Sequence, residues 1–332
     1  MTQRILSGIQ SSGQPTMGNY LGAFLQHMKL QETYVATFMV ADLHSITVRQ
    51  DPKELHENSY AIAAWYLAAG LDPQKSTIFL QSHVSAHAEL GWILSTFTQM
   101  GELERMTQFK DKSQRNKKNI NAGLFTYPTL QAADILLHHP HFVPVGHDQV
   151  QHLELTRNIA VRFNGVYGDV FTVPEVMVPK AAARVKDLQE PTRKMSKSLT
   201  GQGTIFLEDD MKVIEKKIKR AVTDDLAEVN YDMENQPGVS NLVEIYSAFK
   251  GCSIEDALKD LQGLQYGGLK GKVAETAIET LEPLQQRYQE FMADKGELNR
   301  ILQEGAQRSA ERANKTLEEV QKHVGFVLKS EL

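Results

Sequence analysis

The order of the apolar segments is the feature that most limits what this chain can fold into. In the first half, short and nearly continuous apolar runs alternate with helical patterns, and such runs end near residue 207. Strands that are apolar throughout are expected where helices cover both faces of a parallel sheet. We predict a doubly wound, parallel α/β domain (Rossmann-like) followed by an all-helical domain. The predicted strands are Ile5–Ile9, Ala36–Ala41, Ser76–Gln81, Phe142–Val145 and Phe171–Val178.

Helix-capping signals and apolar spacing define the other elements. Asp51 and Pro52 predict a helix start, and Gly70 predicts the end of the same helix. The expected domains are residues 1–190, a mobile polar loop over 191–205, and a helical unit over 206–332 whose last helix packs back on the first domain. The predicted C-terminal helices are Met211–Val222, Leu242–Phe249, Ile254–Leu261, Val273–Met292, which Pro283 should kink, and Leu298–Val324.

Composition excludes several classes of protein. No apolar run approaches the roughly 20 residues that span a bilayer, and the N-terminal pattern is not that of a signal or transit peptide, so we expect a cytoplasmic protein without a membrane partner. A single cysteine, Cys252, excludes an intrachain disulfide and a Cys-ligated cluster. The net charge of −5 argues against a protein that coats nucleic acid, but it is compatible with a local basic patch.

A glycine-bearing segment follows the first predicted strand and enters a helix near Gly18. The N–H groups and the dipole at a helix start favour a phosphate, and Gly13 and Gly18 allow a ligand to approach the backbone closely. Asn19 adds an amide donor. The segment matches neither the P-loop nor the dinucleotide fingerprint, so a purely structural turn is the alternative.

A second polar motif, Lys194–Ser198, lies in the predicted loop. Two lysines three residues apart can bring two charges and several hydrogen-bond donors to a polyphosphate. On a mobile loop these contacts can tighten as charge develops on a leaving pyrophosphate. A solvated basic linker is the alternative.

Together, the two motifs resemble the signatures of class I aminoacyl-tRNA synthetases. Pro15–Asn19 is similar to the HIGH-type motif, and Lys194–Ser198 is KMSKS letter for letter. The resemblance extends over essentially the whole chain, and the sequence looks most like that of bacterial tryptophanyl-tRNA synthetases. The segments that carry it are Gly101–Lys110, Tyr127-Pro128, Ala132–Leu137, Val143–Gln149, Ala221–Asp224 and Pro237–Leu242.

This resemblance implies a homodimeric tryptophan–tRNA ligase that uses L-tryptophan, tRNA(Trp) and ATP, with Mg²⁺ carried by the ATP. The first domain would be catalytic and dimer-forming, and the helical domain would recognise the anticodon. A tyrosyl-tRNA synthetase and a tryptophan-sensing or RNA-binding paralogue are the alternatives. A small nucleotidylyltransferase would not explain the long helical half.

The resemblance also implies roles for individual residues. ATP would be bound by Gln10, Ser11, Ser12, Gly18, Asn19, Gly146, His147, Asp148, Val185, Lys194, Met195, Ser196, Lys197 and Ser198. The catalytic residues would be Lys194, Lys197, Asn19 and Lys112. Asp134 would accept the indole N–H, and Tyr127 and Gln149 would bind the α-amino group. The indole pocket would be lined by Ile135, Val143, Val145 and His44.

Asp134 also has a chemical argument of its own. An indole N–H can only donate, so a pocket that selects it needs a buried acceptor among apolar walls. Asp134 stands in the apolar segment Leu130–Leu137, where an unpartnered carboxylate would be costly. A surface-facing helix position is the alternative. Near it, Gln131 replaces the Met common in the family, and His147 replaces a Glu.

Two further clusters invite a functional interpretation. The histidines of His138–His141 lack the spacing of a zinc motif, so we expect a polar loop and no metal site. The basic runs Lys110–Lys118 and Lys212–Arg220 are compatible with RNA contacts or with solvated faces.

Overall fold

A computed structural model describes residues 3–115, 119–178, 184–196 and 201–332. At its centre is a five-stranded sheet of order β3-β2-β1-β4-β5, in which every pairing is parallel. The chain order reverses at β1, which is where a doubly wound sheet opens a crevice beyond the carboxyl ends of its strands. The predicted α/β class is confirmed. The strands are β1 (Arg4–Ile9), β2 (Val35–Val40), β3 (Ser76–Leu80), β4 (Phe142–Pro144) and β5 (Glu175–Met177).

Helices cover the sheet and form the C-terminal region. A π-helical stretch, Tyr20–Phe24, joins the first two helices. No helix among the described residues is both long and apolar enough to cross a membrane. The helices are α1 (Met17–Asn19), α2 (Leu25–Gln31), α3 (Asp42–Ser45), α4 (Pro52–Ala69), α5 (Ala86–Ser95), α6 (Met100–Glu104), α7 (Thr107–Arg115), α8 (Ala122–Leu136), α9 (Val150–Tyr167), α10 (Met211–Lys219), α11 (Pro237–Lys250), α12 (Ile254–Leu261), α13 (Tyr266–Ala293) and α14 (Lys295–Val324).

The predicted ends of α4 are confirmed. The Asp51 carboxylate accepts hydrogen bonds from the backbone N–H groups of Lys53 and Glu54 at 2.9 and 3.1 Å, which satisfies donors left open at a helix start. Gly70 ends the helix with φ at 107°, in the left-handed region that favours glycine.

One predicted strand was wrong at its start. The fifth strand does not begin at Phe171, because the Asn164 side chain fixes residues 170 and 171 in an irregular turn through three hydrogen bonds of 2.8 to 3.2 Å. The strand that follows comprises only Glu175–Met177. In α13 the helix continues through Pro283 to Ala293, as its apolar spacing predicted, and the kink at Pro283 stays a prediction.

The last helix, α14, packs closely against the outer strand β3. A side chain on Gly305 would place its Cβ 1.8 Å from the Ile78 carbonyl oxygen, so the helix can approach the strand only with glycine here. Further along, Arg308 donates to the carbonyl of Pro73 at 2.8 Å, and Thr316 donates to that of Leu137 at 2.9 Å.

Candidate active site

A cavity of about 1460 Å³ opens at the carboxyl ends of β1, β2 and β4, the location predicted for a ligand. It brings together most of the residues that the sequence singled out. These are Gln10, Ser12, Gly18, Asn19, His44, Tyr127, Asp134, Ile135, Val143, Val145, Gly146, His147, Asp148, Gln149, Val185, Lys194 and Met195.

Some candidate residues are not placed in this cavity. Ser11 is fully buried, and its hydroxyl lies 3.2 Å from that of Ser45 rather than lining the cavity. Ser196 does not line it either. Lys112 belongs to α7, whose backbone alone is described at that position, and Lys197 and Ser198 lie outside the described residues.

The segment after β1 pairs with the chain that follows the KMSKS segment. Thr16 and Phe206 form an antiparallel bridge. The Met17 N–H donates to the Ile205 carbonyl at 2.9 Å, as does the Leu207 N–H to the Pro15 carbonyl. The HIGH-type segment is therefore held by backbone hydrogen bonds to the chain that follows KMSKS, although the two are far apart in the sequence.

Gly18 lies where the two motifs touch. A Cβ on Gly18 would lie 3.6 Å from the Cβ of Met195 and 3.7 Å from that of Val185. These are ordinary van der Waals distances, so a larger side chain would occupy the space between the helix start and the loop. Glycine keeps that space open beside the N-terminus of α1, where N–H groups favour phosphate.

Asn19 has a fixed orientation. Its Oδ1 accepts hydrogen bonds from the backbone N–H and the hydroxyl of Thr16, at 2.9 and 3.2 Å. The Thr16 hydroxyl in turn accepts from the Asn19 N–H at 3.3 Å, which completes a capping box. Since Oδ1 is used within the helix start, Nδ2 is the Asn19 donor left for a ligand.

The base of the KMSKS segment is a short hairpin. Lys186 and Lys194 form an antiparallel bridge, and the Met195 N–H donates to the Val185 carbonyl at 3.1 Å. Asn241, on α11, accepts from the Lys186 N–H at 2.8 Å and donates to its carbonyl at 3.1 Å. The helical region thus holds the hairpin that carries the first lysine of the motif.

Asp187, which is buried, stabilises both ends of the loop that carries the KMSKS segment. One carboxylate oxygen accepts from the N–H groups of Gln189 and Glu190, at 2.9 and 3.1 Å. The other accepts from the Thr204 hydroxyl at 3.1 Å. The two ends of the loop therefore meet at one buried carboxylate.

Asp134 lies at the apolar end of the cavity and is only 1% exposed. Its Oδ1 accepts from Gln81 Nε2 and from His87 Nδ1, both at 2.7 Å. Its Oδ2 is 2.7 Å from His44 Nε2. A carboxylate offers about four acceptor positions, so three are occupied and one remains on Oδ2. The alternative of a surface-facing Asp134 is wrong.

The same contacts determine the charge of Asp134. Burial alone would raise the pKa of this carboxyl, but the hydrogen bonds and charges of His44 and His87 together outweigh burial and hold the pKa well below its usual range. Asp134 is therefore a carboxylate at neutral pH and can only accept hydrogen bonds. Both imidazoles must direct an N–H toward it.

The residues expected to meet an α-amino group lie close to Asp134, since the ring of Tyr127 is 6.2 Å from that of His44. The Tyr127 hydroxyl is 2.7 Å from His152 Nε2, and burial raises the pKa of Tyr127 well above its usual value. Gln131 donates to Gln149 Oε1 at 3.3 Å, and Gln149 donates to Asp148 Oδ2 at 3.2 Å. The two amides and the Asp148 carboxylate form one chain of hydrogen bonds, and the Tyr127 phenol is held separately by His152.

Sequence analysis missed three residues of this network, namely Gln81, His87 and His152. Gln81 and His87 follow β3 and reach Asp134 on α8, while His152 on α9 reaches Tyr127. The position of Gln81 directly after a buried strand was the available signal, because ligands collect at strand ends. No local pattern indicates the partners of the two histidines.

The remaining clusters have mainly structural contacts. His138 lies beside His87, His139 is 3.1 Å from the Thr316 hydroxyl, and His141 accepts from the Arg4 N–H at 3.0 Å. In the described parts of the chain, no group of three or more His, Cys, Asp or Glu side chains is arranged to hold a metal ion.

Two of the four lysines on the basic helix α10 form ion pairs. Lys217 pairs with Asp209 at 2.6 Å, and Lys219 pairs with Glu215 at 2.5 Å. Lys212 and Lys216 are exposed and have no ion pair with any described residue, so their charges are the ones that face solvent.

The chain is similar to known tRNA synthetases over most of its length. A profile described as tRNA synthetases class I (W and Y) matches residues 2–282. A tryptophan–tRNA ligase from Corynebacterium glutamicum is 52% identical over 327 residues, which covers 98% of this chain and 95% of that protein. A tryptophan–tRNA ligase from Clostridium tetani is 50% identical over 325 residues, with 98% and 96% covered.

Solved structures agree with these relatives. Tryptophanyl-tRNA synthetase from Mycoplasma pneumoniae superposes with a TM-score of 0.91 at 36% identity and covers all of both chains. The Campylobacter jejuni enzyme, in a complex with ADP and tryptophan, gives a TM-score of 0.82 at 38% identity and covers 98% of this chain and 100% of its own. The chain belongs to the class I tRNA synthetases (W and Y), and within that family to the tryptophan–tRNA ligases.

Proposed function

We propose that the chain activates L-tryptophan with Mg-ATP and transfers it to tRNA(Trp). In the first step a carboxylate oxygen of tryptophan attacks the α-phosphorus of ATP, and pyrophosphate leaves. In the second step a hydroxyl of the 3′-terminal ribose attacks the carbonyl carbon of the adenylate, and AMP leaves. The substrate carboxylate is itself the nucleophile, so positioning and charge stabilisation are the tasks of the protein.

The observation that carries this proposal is the state of Asp134. A buried carboxylate with one open acceptor position, at the apolar end of the cavity, suits a ring with one N–H donor. The apolar walls next to it are Ile135 and Val143, which suit the faces of an indole. The tryptophan bound by the Campylobacter jejuni relative is consistent with this assignment.

ATP is assigned to the opposite side of the cavity. The N-terminus of α1, the Nδ2 of Asn19 and the ammonium group of Lys194 supply donors and positive charge for the triphosphate. Asp148 supplies a carboxylate for ribose hydroxyls. Magnesium enters with ATP, and the phosphate oxygens are its expected ligands, since Mg²⁺ at nucleotide sites is held largely by phosphate and water.

ATP–pyrophosphate exchange tests the first step. We expect exchange with tryptophan, and much weaker exchange with tyrosine or without an amino acid. Exchange with tyrosine at an equal rate would indicate tyrosine activation instead. Aminoacylation of tRNA(Trp) tests the second step, and exchange without aminoacylation would point to a paralogue that only binds or senses tryptophan.

The partners and the location complete the proposal. We propose a cytoplasmic homodimer that binds tRNA through its helical region, with Lys212 and Lys216 as candidate backbone contacts. Light scattering after size-exclusion chromatography tests the dimer, and a single-chain mass would contradict it.

A further inference from the structure

The residue that links the indole acceptor to the rest of the protein is His87, a fully buried side chain at the start of α5. Nothing in the adenylation chemistry uses it directly. Its Nδ1 lies 2.7 Å from Asp134 Oδ1, and its Nε2 lies 3.5 Å from His138 Nε2. His138 in turn lies 3.5 Å from the hydroxyl of Ser309 on α14.

The packing of α5 on α8 determines where His87 points. Gly91, one helical turn after His87, lies against Leu130, where an added Cβ would come within 3.3 Å of the leucine side chain. Asp134 is one turn after Leu130. The close approach at Gly91 therefore places the preceding turn of α5 beside the following turn of α8, so that His87 faces Asp134.

The two oxygens of Asp134 face different surroundings. Gln81 and His87, the donors to Oδ1, do not line the cavity, whereas His44, the donor to Oδ2, does. Oδ1 has both acceptor positions filled on the inner side. Oδ2 is the oxygen that faces the cavity, with one acceptor position open.

The hydrogen-bond chain also fixes the tautomer of His87. Asp134 is ionised, so His87 Nδ1 must carry a hydrogen. Burial lowers the pKa of His138 well below its usual value, so His138 is neutral. A neutral His138 can donate from Nε2 toward His87 Nε2, which then needs no hydrogen of its own. Among the described residues, His138 Nδ1 has no partner, as expected for the nitrogen without hydrogen.

We propose that His87 is a specificity-determining positioning residue. Its Nδ1–H donates to Oδ1 of Asp134 and orients the carboxylate. The open acceptor position of Oδ2 then faces the cavity and selects an amino acid whose ring carries an N–H donor. This inference rests on the proposed activation of tryptophan. A ring of the same shape without the N–H leaves the second acceptor position of Oδ2 unfilled, which is costly for a buried carboxylate.

The experiment compares tryptophan with β-(3-benzothienyl)alanine, in which sulfur replaces the ring N–H. Pyrophosphate exchange gives kcat/KM for both amino acids in the wild type, in His87→Leu and in His87→Asn. Leucine removes the donor, whereas the asparagine amide can replace Nδ1–H. We expect the preference for tryptophan to fall roughly 10- to 100-fold in His87→Leu, mostly through a higher KM for tryptophan. In His87→Asn we expect it to stay within about threefold of wild type.

The outcomes separate the two proposals. If His87 only fills space, both amino acids lose activity in parallel in His87→Leu, the preference is unchanged, and the positioning role is overturned. If wild-type protein activates neither amino acid, the proposed function itself fails.

A second measurement does not depend on the folding of His87→Leu. In ¹⁵N-histidine-labelled wild type, with the His87 signals identified by their loss in His87→Asn, the ¹⁵N shifts report which nitrogen carries hydrogen. We expect hydrogen on Nδ1. Hydrogen on Nε2 with a bare Nδ1 would overturn the proposal.

Discussion

Asn241 hydrogen-bonds both backbone groups of Lys186, at 2.8 Å to its N–H and 3.1 Å to its carbonyl. Asn241 is 1% exposed and lies on α11, whereas Lys186 is paired with Lys194 at the base of the KMSKS segment. The amide thus ties the position of Lys194, the lysine proposed to bind the triphosphate, to the helical region. Its removal leaves two backbone groups without partners.

We expect Asn241→Ala to lower kcat for pyrophosphate exchange roughly 10- to 100-fold, because a small displacement of a catalytic group can cost about this much. The KM for tryptophan should change little, since Asp134 is untouched. Steady-state exchange kinetics, with thermal unfolding to check the fold, measure both effects. Asn230→Ala removes an exposed amide and serves as control. A larger change in KM than in kcat would contradict the assignment.

For Lys197→Ala we expect adenylation to slow roughly 100- to 1000-fold, because a charge that stabilises the leaving pyrophosphate acts in the transition state. Tryptophan binding, measured by equilibrium dialysis, should stay within about threefold of wild type, since the charge is proposed to act on the leaving pyrophosphate and not on tryptophan. Lys212→Ala, on the exposed face of α10, should leave exchange unchanged. Equal exchange rates in Lys197→Ala and wild type would refute the role.

His27 predicts a measurable pH dependence of stability. It is buried beside Phe38, with ring centroids 4.7 Å apart, and burial lowers its pKa from 6.5 to about 3. Below pH 6.5 the unfolded chain binds a proton that the native state binds only near pH 3. The free energy of unfolding therefore falls as the pH decreases through this window.

In His27→Phe this contribution disappears. The stability of the variant relative to wild type should rise as the pH falls from 6.5 toward 4, by a slope that approaches about 1.4 kcal/mol per pH unit. Urea unfolding at several pH values measures it. Two curves that stay parallel over this range would show that His27 does not titrate as stated.

Alanine should have opposite effects at two helical glycines, one inside the contact between α14 and β3 and one in open space on α13. In Gly305→Ala the new Cβ meets the Ile78 carbonyl at 1.8 Å, and overpacking of this kind costs roughly 1–3 kcal/mol. In Gly271→Ala, within α13, no atom lies within 4 Å, so alanine should stabilise the helix by up to about 1 kcal/mol. Chemical denaturation compares the pair, and equal stabilities would contradict the packing.

What the sequence predicts well is local or repeated. The caps of α4 depend on Asp51 and Gly70 alone, and both are confirmed. The parallel sheet follows from apolar runs that need no knowledge of their partners. The fifth strand was wrong because the Asn164 side chain, outside the apolar run, determines the turn before it.

For the cavity, too, the sequence predicts some features and not others. Its location follows from strand ends, and Asp134 follows from chemistry and resemblance. Its donors do not, because Gln81, His87 and His44 stand 53, 47 and 90 positions away from it. Such pairings depend on helix packing, as at Gly91, which no periodicity in the sequence specifies. The domain limits and the ligand roles of the site residues remain predictions.

The closure of β3 by α14 also has a consequence for synthesis on the ribosome. Arg308 and Pro73, which meet in this contact, are 235 positions apart. Strand β3 is therefore translated long before α14, the helix that covers it. Until then, nascent chains expose an apolar strand that can pair with others. We expect dependence on chaperones to be greatest in this interval, and chains that stop before α14 to aggregate.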